Sequence, residues 1–160
     1  MPRIACLLVP DLPVAAACRA DPDLAARPLA LSEGGGPHAP IVAAAAAARA
    51  RGVRAGHTVA QARAIAADLI VRPRDEAAER SAVRALVDVA ASLASRIEAA
   101  ADGAVFLDAA GAAHLVPSEA GLATALVARA ARVGLGPIGP GQELRPRGMH
   151  GALPNFCTGV

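Results

Sequence analysis

Alanine constrains this chain more than any other residue does. It fills 44 of the 160 positions, while Tyr and Trp are absent and Phe occurs twice. Alanine is the best helix former, yet it buries little area. Taking a Leu or Val from water into a core stabilises by about 1.5–3 kcal/mol, and an Ala by far less. The stabilising burden therefore falls on the few Leu, Ile and Val positions. At 54 % hydrophobic residues the chain is too apolar for intrinsic disorder. Its lack of rings removes the stacking platform of aromatic nucleic-acid binders. All 16 basic residues are Arg, and a net charge of +2 excludes both a strongly basic arm and an acidic tail. A GC-rich coding sequence would give the same Ala and Arg excess.

Cys6, Cys18 and Cys157 have no CxxC spacing, and His38, His57, His114 and His150 are scattered. No metal-ligand pattern forms, and reduced thiols in a cytosolic compartment are the simple reading. Arg3 followed by IACLLVPDLPVAAAC imitates a signal peptide, but Asp11 between Pro10 and Pro13 interrupts the apolar stretch that export requires. The other apolar run, 41–48, is far short of the ~20 residues that span a bilayer. A soluble, cytoplasmic protein with no membrane partner is expected.

Along the chain, 3–9 reads as a buried strand ended by Pro10. Asp11 stands as an N-cap before a short helix through VAAACRA. PLALS from Pro28 and the run from Pro40 flank Gly34–Gly36 and predict a hairpin. The glycines lie in that turn and do not lead into a helix as a phosphate loop would. Ala43–Ala50 is helix-forming and stopped by Gly52. Thr58 and Gln61 have capping-box spacing for a helix over 59–67, with His57 in the loop before it. Leu69–Arg72 is a strand closed by Pro73, and the clearest amphipathic helix covers 75–98. Runs at 104–108 and 112–116 about Gly111 predict a second hairpin, and Ser118 caps a helix over 119–133. Ser81 and Ser118 have no His-Asp partnership that the sequence reveals. Interleaved strands and helices give an α/β (α+β) domain, helices packed on a mixed sheet, over 1–135. Residues 136–160 hold six Gly and four Pro without apolar periodicity, an irregular tail whose sharper reading is a reading-frame change.

Four stretches carry a resemblance: RIACLLVPDLPVAAAC at 3–18, RPLAL at 27–31, the run from Ile41 to Asp75, and VFLDAAGAAHLVPSEAGLA at 105–123. In this order and spacing the chain resembles the N-terminal part of Y-family DNA polymerases, the DinB/UmuC group. The nearest likeness is to its ImuB-like, catalytically inactive branch. The resemblance implies a palm-like sheet and a small helical fingers insertion over about 19–75. It implies polymerases that use two Mg²⁺, about 3.5–4 Å apart, held by three carboxylates. The positions that match those acids are Val9, Gly103 and Ala104. Asp11 follows two residues later, Asp102 is one residue out of register, and Asp108 matches a supporting position. The aromatic that excludes ribonucleotides corresponds to Val14, and the Tyr on the triphosphate to Ala46. Arg49 survives beside it and, with Arg54, is the candidate phosphate contact; Arg51 shares the same stretch and an exposed helix end suits all three.

The expectation is a non-catalytic, polymerase-shaped accessory of translesion synthesis and DNA repair that needs no cofactor. The resemblance implies replication and repair proteins as partners (a translesion polymerase and the sliding clamp in full-length relatives), with DNA bound weakly or indirectly. It also implies that a thumb and a C-terminal DNA-binding domain would follow, so a protein cut short is expected. Two alternatives stand beside it: a nucleotidyltransferase using Asp11, Asp102 and Asp108 with Mg²⁺, and a fragment without function.

Overall fold

The computed structural model describes residues 4–100, 103–112, 115–116 and 118–136. They fall into two compact units. One takes the chain up to Pro10 and again from Ala82; the other runs Asp11–Ser81.

The first unit is built on an antiparallel sheet of β1 (Ile4–Leu8), β5 (Ile97–Ala99) and β6 (Ala104–Asp108), in the order β1-β6-β5. Alternation along β6 buries Val105 and Leu107 and leaves Ala104, Phe106 and Asp108 part-exposed. Cross-strand register sets Leu7 opposite Val105 and Ala5 opposite Leu107, so one face carries the apolar set. Helices α4 (Glu76–Ala91) and α5 (Glu119–Arg132) bury Leu86, Leu122 and Leu126. The N-terminus of α4 is held by Asp75, whose carboxylate accepts the N–H groups of Ala77 and Ala78 at 2.9 and 3.0 Å.

The second unit holds a mixed sheet in the order β3-β2-β4: β2 (Leu29–Ser32) pairs antiparallel with β3 (Ile41–Ala44) and parallel with β4 (Ile70–Pro73). With it come α1 (Leu12–Ala20), α2 (Ala46–Ala50) and α3 (Val59–Ile65). One core cluster joins Ala30, Ile41, Ala48, Val53, Val59 and Ala62; another joins Val14, Cys18, Leu24, Leu29 and Leu31. Fully covered Ala30, Ala48 and Ala62 show what alanine contributes: little area, but close approach of backbones around the branched residues.

The fold class expected from the sequence is the one observed, with the strands divided between two small sheets. Three local expectations differ. The helix after Asp75 stops at Ala91, because Ser92 turns its hydroxyl onto the Val89 carbonyl at 2.6 Å and the chain leaves the helix. Ile97, four residues after Leu93, fits helical spacing and an inward strand position equally well; it sits opposite Leu107. The second hairpin is therefore β5–β6. The expected return strand at 112–116 does not form at its described positions: Asp108 accepts the Ala110 N–H at 3.0 Å and coils the chain into a 3-10 turn over Ala109–Ala112. At Ala43 and Ala44 the β2–β3 ladder overrides alanine's helical preference, and α2 begins only at Ala46.

Candidate functional site

The β1–β6 ladder runs one step past its strands. Val9 donates its N–H to the Gly103 carbonyl at 3.1 Å, next to the Leu8–Ala104 pair. Positions 9, 103 and 104, far apart in sequence, are thereby neighbours at one end of the sheet. Their side chains are an isopropyl group, a hydrogen and a methyl. Val9 is only 3 % exposed, and Gly103 has φ 74°, in the left-handed region. A pair of Mg²⁺ ions needs several carboxylate oxygens, and these side chains offer none. The position does not fit a two-metal site. Among the described residues, no group of three or more His, Cys, Asp or Glu side chains is placed to hold a metal ion.

Of the three aspartates considered as alternative ligands, two are engaged in other contacts. Asp108 is at the far end of β6 from Ala104, paired with Ile4, about 13 Å along the strand at ~3.3 Å per residue. Its carboxylate holds the 3-10 turn. Asp102 lies outside the described residues. Asp11 belongs to the second unit and does not cap α1 with its side chain, contrary to the expectation. Its backbone is left-handed, φ 52° and ψ 50°, and its carboxylate accepts from Arg49 Nη1 at 2.7 Å.

Arg49 is therefore held from two sides. The same Nη1 donates to the Ala44 carbonyl at 2.6 Å, at the end of β3. Arg51 donates to the Ala47 carbonyl at 2.9 Å and pairs with Asp68, also at 2.9 Å. Arg54 donates to the Arg49 carbonyl at 3.0 Å, and its own N–H bonds His57 Nδ1 at 3.3 Å. Arg51 and Arg54 thus add side-chain donors to the Ala47 and Arg49 carbonyls of the five-residue α2. The Nε and Nη2 groups of Arg49 have no partner among the described residues. No local pattern signals the Asp11–Arg49 pair, because its members are 38 residues apart. Val14, where the resemblance places a ring, is 1 % exposed within its core cluster, while Ala46 opens α2.

A cleft of about 260 Å³ opens on the sheet of the first unit, away from Val9. It is lined by Ile4, Ile97 and Phe106 with the charged Arg96, Glu98 and Asp108. No sequence motif marks it: its residues come from β1, β5 and β6 and from the position just before β5.

Residues 11–134 match the family described as impB/mucB/samB. This chain belongs to the impB/mucB/samB family. No curated protein matches the sequence. Among solved structures, this impB/mucB/samB chain is similar to a Dbh ternary complex, with 19 % identity and a TM-score of 0.65 over 81 % of the chain and 38 % of that structure. It is likewise similar to a post-insertion binary complex of Dbh DNA polymerase, at 20 % identity and TM-score 0.68 over 82 % and 39 %. A Y-family DNA polymerase chimera containing Dbh gives 20 % and 0.59 over 83 % and 38 %. The impB/mucB/samB chain spans about two fifths of the length of these structures and has their Y-family, palm-like fold. No helix among the described residues is long and apolar enough to cross a membrane.

Proposed function

We propose that this is a non-catalytic, ImuB-like member of the Y-family polymerase group that serves translesion synthesis and DNA repair by binding. The observation that carries the reading is the meeting of Val9, Gly103 and Ala104 at the end of β1 and β6. The positions that the resemblance assigns to three metal-binding carboxylates come together as a site would, and carry no ligand oxygen. In this reading the palm and fingers region covers 1–135, with the fingers over about 19–75 inside the unit Asp11–Ser81. A translesion polymerase is its protein partner in the cytoplasm, with the sliding clamp a partner of full-length relatives. DNA is bound weakly, through phosphates. Arg49 and Arg54 make those contacts, Arg49 through its open Nε–Nη2 edge, the fork that takes two oxygens of one phosphate.

Primer extension tests the reading. With a primed template, all four deoxynucleoside triphosphates and Mg²⁺ or Mn²⁺, the expected outcome is no template-dependent incorporation. Incorporation that Asp11→Ala abolishes would overturn it in favour of an altered metal site.

A further inference from the structure

Asp11 combines two features found together nowhere else among the described residues. It is the one non-glycine with positive φ, and it places a carboxylate 2.7 Å from the candidate phosphate-binding arginine. A left-handed L-residue is strained, and such strain persists where the surroundings over-determine it. Arg49 does that from the opposite side. Its Nη1 is split between the Asp11 carboxylate and the Ala44 carbonyl, so the guanidinium is positioned even without Asp11. Among the described residues only the Nε–Nη2 edge is left open, and any oxyanion docking there meets the negative charge of Asp11 across a single planar group.

We propose that Asp11 is a built-in competitor for polyphosphate at Arg49, an internal anion that sets how strongly the second unit holds an incoming phosphate chain. The inference rests on Arg49 being a phosphate contact, as proposed above. The pair is exposed to 37–38 %, so the competition is partial and readily displaced, as suits a setting on affinity rather than a block.

The test is calorimetric titration of the full chain with inorganic tripolyphosphate. Asp11→Asn removes the charge and keeps a residue that tolerates the left-handed region; Asp11→Gly does the same with no backbone penalty and serves if the Asn variant fails to melt cooperatively. Both should bind tripolyphosphate tighter by on the order of two- to fivefold, the size expected for a half-exposed ion pair. Asp23→Asn, an equal change of net charge at an exposed position, should not, and Arg49→Gln should erase the gain in the double variant. Equal affinities for wild type and both Asp11 variants, with Arg49→Gln weaker, would sink the competitor and leave the phosphate contact standing. An Arg49→Gln protein that binds as wild type does, or a wild type and variants that all fail to bind, would remove the phosphate contact and the competitor together.

Discussion

Val9 and Gly103 explain why a single substitution would not build a two-metal site at this end of the sheet. Val9 is 3 % exposed, so a carboxylate there is buried beside a glycine and a methyl, neither of which can neutralise it. Val9→Asp is expected to destabilise the fold by about 3 kcal/mol or more, the penalty of an uncompensated buried charge. Urea unfolding reads the loss, and Mg²⁺ should not restore the midpoint, because positions 103 and 104 supply no second ligand. Cys18 gives a residue-level prediction of another kind. Burial, with Asp21 adding to it, pushes its thiol up from the ordinary value. A thiol raised on folding stays protonated in the native state while the unfolded chain ionises, so its stabilising contribution is complete below the unfolded pKa and fades as pH climbs. The chain has no Lys or Tyr, and its other thiols are Cys6 and Cys157. Stability should therefore fall from about pH 9 upward, and Cys18→Ala should flatten that decline; an unchanged slope would refute the assignment.

The elements differ in how far their local sequence fixes them. Thr58 and Gln61 satisfy each other's backbone N–H groups, Gln61 N–H to Thr58 Oγ1 at 3.2 Å and Thr58 N–H to Gln61 Oε1 at 2.9 Å. Thr58→Ala should cost about 1 kcal/mol, with faster hydrogen exchange concentrated in α3. That capping box was legible because both partners lie within one turn, as was Ser118, which accepts the Gly121 N–H at 3.0 Å to start α5. The β2–β3 hairpin was legible for a similar reason: Gly34 and Gly36 take positive φ in the exposed turn. What could not be read depended on distant partners. Ala43 and Ala44 became strand because β2 offered a ladder, and Ile97 joined β6 because Leu107 lay opposite. The grouping of positions 9, 103 and 104 was legible only through the resemblance, since nothing in residues 8–9 or 103–104 alone specifies their register. The Asp11–Arg49 pair was not legible at all, because Asp11 read as an N-cap and its left-handed backbone sends the carboxylate to α2 instead.

At the scale of the whole molecule, charge bears on the proposed DNA contact. Sixteen arginines face fourteen acids, a net of +2, and several of the arginines are already committed. Arg49, Arg51, Arg74 and Arg80 pair with Asp11, Asp68, Glu79 and Glu76. Each phosphate a protein neutralises releases counterion and steepens the fall of affinity with salt by about 0.9 in log–log slope on duplex DNA. With a net charge of only +2 the chain has little excess positive charge for engaging many phosphates at once, and without aromatic platforms it cannot replace them by stacking. Fluorescence anisotropy with a labelled duplex, between 50 and 200 mM salt (a range set by the general salt dependence of such complexes), should thus give a shallow slope, about −2 to −3. If Arg49 and Arg54 are the phosphate contacts, Arg49→Gln and Arg54→Gln should each reduce it by about 1, uniformly across DNA sequences. A steep slope insensitive to both substitutions would place the DNA contact on other arginines. The proposed replication-protein partners would then have less reason to be the main route to the primer, because the chain would hold DNA by itself.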